Sequence, residues 1–137
     1  MKSKLSWAAG LLMCAGLSFC LTGCSSLESN TVQYIGAPRY PAVDPARVQI
    51  LQAEPKQPFD RLGEVAINAS TDPPPPVDKI EASIRARAAK LGADAAYLVH
   101  DQVQTAGVQV WGPWWAPTAT PINSRVIVAV AIKFKEH

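Results

Sequence analysis

The chain has 137 residues, 48% of them apolar and 18% charged, which suits one small domain with a single core. Its formal charge of +2 is due to Lys2 and Lys4; beyond them 11 basic residues balance 11 acidic ones, and no basic cluster marks a nucleic-acid footprint. The three cysteines are Cys14, Cys20 and Cys24, so the chain after residue 24 has no thiol for a disulfide, for catalysis or for a metal.

Residues 1–23 have the parts of an export signal: Lys2 and Lys4, then an apolar stretch from Leu5 to Leu21 broken by Gly10, Gly16 and Ser18. The stretch is about as long as the ~17-residue lower limit for crossing a bilayer, so an uncleaved anchor is the competing reading. Leu21-Thr22-Gly23-Cys24 ends it, and this pattern resembles the lipobox of bacterial lipoprotein precursors. The resemblance implies cleavage between Gly23 and Cys24, leaving 114 residues, with a diacylglycerol on the Cys24 thiol and a palmitate-class acyl group on its new amine. It also implies residence at the periplasmic face of the outer membrane, because Ser25 stands where inner-membrane retention uses Asp. Three acyl chains would hold the protein firmly, since a single myristoyl chain gives only marginal binding.

Residues 24–45 read as a tether, polar at first and then rich in Pro and Gly. From residue 25 onward its coil would span about 25 Å, and fully extended it reaches about 70 Å. Tyr34, Ile35 and Tyr40 point to its later half packing back on the domain, which spans residues 46–137.

Arg47-Val48-Gln49-Ile50-Leu51 predicts a short first strand, and Pro55 and Pro58 a loop after it. Phe59 to Asn68 predicts a second strand, with Val65 and Ile67 on one face and a bulge or close backbone approach at Gly63. Pro73 to Pro76 cannot join a sheet; they predict a stiff extended lead-in, with a proline-recognition motif as the sharper reading. Val77, Ile80, Ile84, Ala88 and Leu91 then fall at helical spacing and make one apolar stripe, widened by Ala82, Ala86 and Ala89. Asp78 and Glu81 have capping-box spacing, Glu81 and Arg85 an i,i+4 pairing, and Gly92 suits a left-handed stop.

A third strand is predicted from Ala95 to Thr105 and a fourth from Arg125 to Lys135. In the fourth, Val126, Val128, Val130, Ile132 and Phe134 share one face, and Ile127, Ala129 and Ala131 share the other. The helix is expected over the small-residue face. Residues 106–123 join the two strands and hold Trp111, Trp114 and Trp115. A connection of that length is functional or disordered. The expectation is that the three tryptophans fold back over the open sheet face; the alternative is an exposed tip that grips a partner or the lipid interface.

No catalytic constellation is visible. His100 and His137 are the two histidines, and His100 and Asp101, as strand neighbours, point to opposite faces. Asp72, Asp78, Asp94 and Asp101 are scattered and read as caps and turns. No phosphate loop, HExxH or GxSxG occurs, and no metal or cofactor is implied.

Arg61-Leu62-Gly63-Glu64-Val65, the helix, Lys90-Leu91-Gly92-Ala93-Asp94-Ala95 and the final strand resemble small bacterial α/β domains. These include the lipoprotein sensor of the Rcs envelope-stress phosphorelay and small proteins labelled as heavy-metal-binding. The resemblance covers residues 58–135 and carries over no functional residue.

The sequence therefore predicts an α+β domain with a mixed four-stranded sheet, ordered β-β-α-β-β along the chain, and one helix on one face. A right-handed strand–helix–strand crossover with parallel strands and a long antiparallel hairpin complete it. The functional expectation is a non-enzymatic lipoprotein of the cell envelope, bound to the bilayer through Cys24 and engaged in interaction or stress response. A ligand-binding module with loop 106–123 as its lid is the alternative, and self-association through the branched strand face a third reading.

Overall fold

The computed structural model describes residues 25–135; the expected signal segment 1–23 with its cleavage position at Gly23, the expected lipidation site Cys24, and His137 lie outside them. The fold is α+β, with one open mixed sheet and one helix on it. The sheet has five strands rather than four: β1 (Leu27–Gln33), β2 (Gln49–Leu51), β3 (Phe59–Ser70), β4 (Ala95–Trp111) and β5 (Thr118–Phe134), in spatial order β1-β3-β5-β4-β2. The helix α1 spans Val77–Lys90.

Alternation sets the two faces. Ile127, Ala129 and Ala131 of β5, with Leu62, Val65, Ile67 and Ala69 of β3 and Ala96 of β4, face Ile80, Ile84, Ala88 and Ala89 of α1 in one core. Alanines on both surfaces let helix and sheet approach closely, as the fourth-strand pattern predicted. The opposite face holds a second cluster, in which Tyr34, Leu51, Phe59 and Phe134 pack on Ala95, Tyr97, Val130 and Ile132. Phe59 meets Tyr97 edge to face at 6.1 Å. The branched face is thus covered at one end by aromatic rings from the sheet itself and from the segment after β1.

The expected tether 24–45 contains β1, which pairs antiparallel with β3 from Leu27↔Ala69 to Gln33↔Gly63. Its inward side is Leu27, Ser29 and Thr31, a small and mostly polar set that gives no hydrophobic period. Ser29 Oγ accepts from Arg87 Nε of α1 at 3.0 Å, which ties this edge strand to the helix. Beyond it Tyr34 N–H donates to the Leu62 carbonyl at 3.0 Å, and Tyr40 and Val43 pack on the helix-side core, while Ile35 is fully exposed. Asp44 caps a 3-10 turn at Pro45–Arg47 through its side chain to Ala46 N–H.

At Gly63 the β3 register shifts, as a bulge requires. The edge strand passes so near that a Cβ there would strike the Val32 carbonyl oxygen. The predicted capping box does not form: Pro76 occupies the N-cap, which places Asp78 within the first turn, where it favours the helix dipole instead. Val77 is 59% exposed and drops out of the apolar stripe, because Ile80 already lies beside Ala69, the last buried residue of β3. At the other end Gly92 has φ +78°, and the Gly92 and Ala93 N–H groups return to the Ala89 and Ala88 carbonyls, a Schellman stop. Glu81 and Arg85 meet at 3.1 Å.

β3 and β4 run parallel, as expected of the strands flanking the helix, but β5 lies between them and pairs antiparallel with both. The hydrogen-bonded parallel pair is β2 with β4.

Candidate functional site

The sheet is uneven at one end. Ser26, Ser70, Ser124 and Gln104 form one row: Ser70 N–H donates to the Ser26 carbonyl, Ser70 is level with Ser124, and Ser124 with Gln104. β1 and β3 stop at this row. β4 and β5 continue past it as a two-stranded arm to the pair Trp111↔Thr118. Residues 106–123, expected as a connection, are therefore mostly ladder, with a turn from Gly112 to Pro117. From Ser124 to Thr118 the arm rises about 20 Å at the usual strand advance.

The base of the arm is fixed by polar contacts. Arg125 grips Asp101 across the ladder with two bonds of 2.7 and 2.6 Å, and this pairing holds the Asp101 carboxyl below its ordinary range. The Asn123 carbonyl accepts from Thr71 Oγ1 at 3.0 Å, and its side chain meets Thr105 at 3.3 Å. Asp94, expected as a turn residue, accepts from Lys133 Nζ at 2.6 Å and from Phe134 N–H at the far end of the sheet.

Outward from that base the chemistry changes. From Gln102 to Ser124 no residue carries a formal charge. A register shift between Thr105 and Gly107 sets the faces of the arm: Val108, Val110, Ala119 and Pro121 share one side, and Gln109, Trp111, Thr118, Thr120 and Ile122 share the other. Both sides are open. Val108, Val110 and Ile122 are exposed, and Trp111, Trp114 and Trp115 are 58%, 89% and 70% exposed. Trp114 and Trp115 touch each other edge to face at 5.6 Å.

The expectation that these rings fold back over the open sheet face is overturned. Residues 102–111 and 118–125 pair with each other and extend the sheet outward, so their turn cannot return over it. The structure brings the three tryptophans together at one tip, as the alternative had it. It adds Ile122 on the Trp111 side of the arm, and Val108 and Val110, also exposed, on the opposite side. Their signal was the alternation in Gly107-Val108-Gln109-Val110-Trp111, hidden by the Gly and Pro residues around it. His100 lies opposite Val128 on the open face, and Asp101 on the helix face. Among the described residues no three His, Cys, Asp or Glu side chains converge, and no helix is long and apolar enough to cross a membrane. A shallow recess at the arm's base is lined mainly by apolar atoms of Ala69, Pro74, Pro75, Ile80 and Val103.

No protein-family model and no curated protein matches the chain. Among solved structures, the chain is similar to a Francisella virulence factor, FvfA, at 13% identity and a TM-score of 0.47, over 77% of this chain and 98% of that one.

Proposed function

We propose that this chain is a non-enzymatic lipoprotein of the bacterial cell envelope, held to the outer membrane by acylated Cys24 and acting through surface contact. The observation that carries the contact role is the arm. A folded domain leaves three tryptophans with Val108, Val110 and Ile122 in water, beyond any core they could complete. The anchoring role rests on Leu21-Thr22-Gly23-Cys24 after an apolar stretch. The ordered sheet starts immediately after it, so the lipid and the domain would be close-coupled rather than joined by a long leash.

The test is metabolic labelling with a fatty acid in a bacterium that processes lipoproteins. The native chain takes up label and shortens to begin at Cys24; Cys24→Ala takes up none and keeps its signal segment. A Cys24→Ala chain that matures and localises like the native one would overturn this reading.

A further inference from the structure

We propose that the hairpin arm is a second membrane contact, with Trp111, Trp114 and Trp115 seated at the headgroup–acyl boundary of a phospholipid bilayer. The direction the arm faces rests on the reading of Cys24 as the acylated residue; the chemistry of the arm stands without it.

Direction comes from the register. Ser26 is pinned to Ser70, so Cys24 lies two residues past the row from which the arm departs. Two residues reach at most about 7 Å. The arm continues about 20 Å past the same row before its turn. A bilayer that takes up acyl chains on Cys24 is therefore nearer the sheet than the arm's tip is. An upright domain would drive the tip at least about 13 Å past Cys24, so the domain tilts and the arm rests along the surface.

The side chains suit that surface. Tryptophan concentrates at membrane interfaces, where its ring is buried and its N–H stays near water. Carrying a charge into the bilayer is costly, and residues 102–124 carry none. The depth is limited by the backbone. Both edges of the arm are unpaired, and exposed N–H and C=O groups cannot enter the hydrocarbon. That restricts the contact to the boundary and excludes a span.

A second copy of the chain suits the arm less well. Pairing along the β5 edge meets Pro121, which has no N–H, and pairing along β4 meets the irregularity between Thr105 and Gly107. A protein partner would find only the amide and hydroxyl groups of Gln109, Thr118 and Thr120 as a rim, with no charge to set its orientation.

Tryptophan emission tests the proposal cleanly, because the chain's only other tryptophan is Trp7. The full chain carrying Trp7→Phe is produced in a bacterium, extracted from its membranes and returned to phosphatidylethanolamine–phosphatidylglycerol vesicles containing brominated phospholipid. The expected result is blue-shifted emission, lost mostly to bromines near the headgroup and less to bromines near the bilayer centre. In the Trp114→Glu, Trp115→Glu variant the remaining Trp111 should keep most of its emission. Emission indifferent to brominated lipid would overturn the proposal, whether a protein partner, a second copy or water then surrounds the tip. The intact mass of the same sample reads Cys24 separately. Unquenched tryptophan on an acylated chain removes the arm proposal alone, and quenched tryptophan on an unacylated chain removes the lipoprotein reading alone.

Discussion

Gly63→Ala tests the edge-strand contact on which the short reach of Cys24 depends. An added Cβ would strike the Val32 carbonyl oxygen and lie 3.0 Å from Leu91 Cδ1 and 3.1 Å from Gln33 Cα. Leu91 can turn aside, but Val32 and Gln33 present backbone, so β1 must shift or release its end. Overpacking of this kind costs about 1–3 kcal/mol. In a domain of this size that lowers Tm by about 4–12 °C. Thermal unfolding of the chain from Ser25 onward gives the total, and hydrogen exchange locates it: amides of residues 27–33 should lose protection while those of β5 keep theirs. Gly107→Ala is the control, since a Cβ there meets nothing within 4 Å. If Gly63→Ala left both Tm and β1 protection at native values, the close approach would be wrong. Release of β1 would also free the chain back to Tyr34, lengthening the reach of Cys24 to about 35 Å.

Three further outcomes follow from burial and charge. Ile67 is fully buried between β3 and α1, and Ile67→Ala should cost about 2–5 kcal/mol in denaturant unfolding. Trp114→Ser should leave the unfolding free energy unchanged within about 0.5 kcal/mol in denaturant titration, because an 89% exposed ring supports nothing in the fold; a large loss would place it in a core. Asp101 has a lowered pKa beside Arg125, so its contribution is present above the ordinary carboxylate range and is lost as pH falls through the lowered value. Both side chains are more than one-third exposed, so Asp101→Asn should cost less than about 1 kcal/mol at neutral pH, with a smaller difference from native in strong acid.

What the sequence disclosed and what it hid have physical reasons. The helix stripe through Ile80, Ile84 and Ala88, the two faces of β5, the Gly63 bulge and the Gly92 stop were legible because burial leaves a period and tight backbone leaves a glycine. β1 was hidden because an edge strand with one wet face needs little hydrophobicity, and Ser29 and Thr31 meet that need. The Pro76 N-cap was hidden because Asp78 and Glu81 offered a better-known signature two residues too far in. The arm was misread for another reason. Tryptophan, proline and glycine together suggest a closing loop, yet Val108, Val110, Ala119 and Pro121 keep strand alternation on both sides of the turn. Composition placed the rings near one another; only the ladder showed that they stand clear of the sheet.

In the proposed reading Cys24 becomes the acylated first residue of a chain whose sheet begins almost at once. Its most direct measurement is the intact mass and N-terminal fragment spectrum of the protein isolated from the membranes of a producing bacterium. The expected chain begins at Cys24, with a diacylglyceryl group on sulfur and an acyl group on nitrogen. A chain that still begins at Met1, with a Cys24 thiol free to react with maleimide, would contradict it.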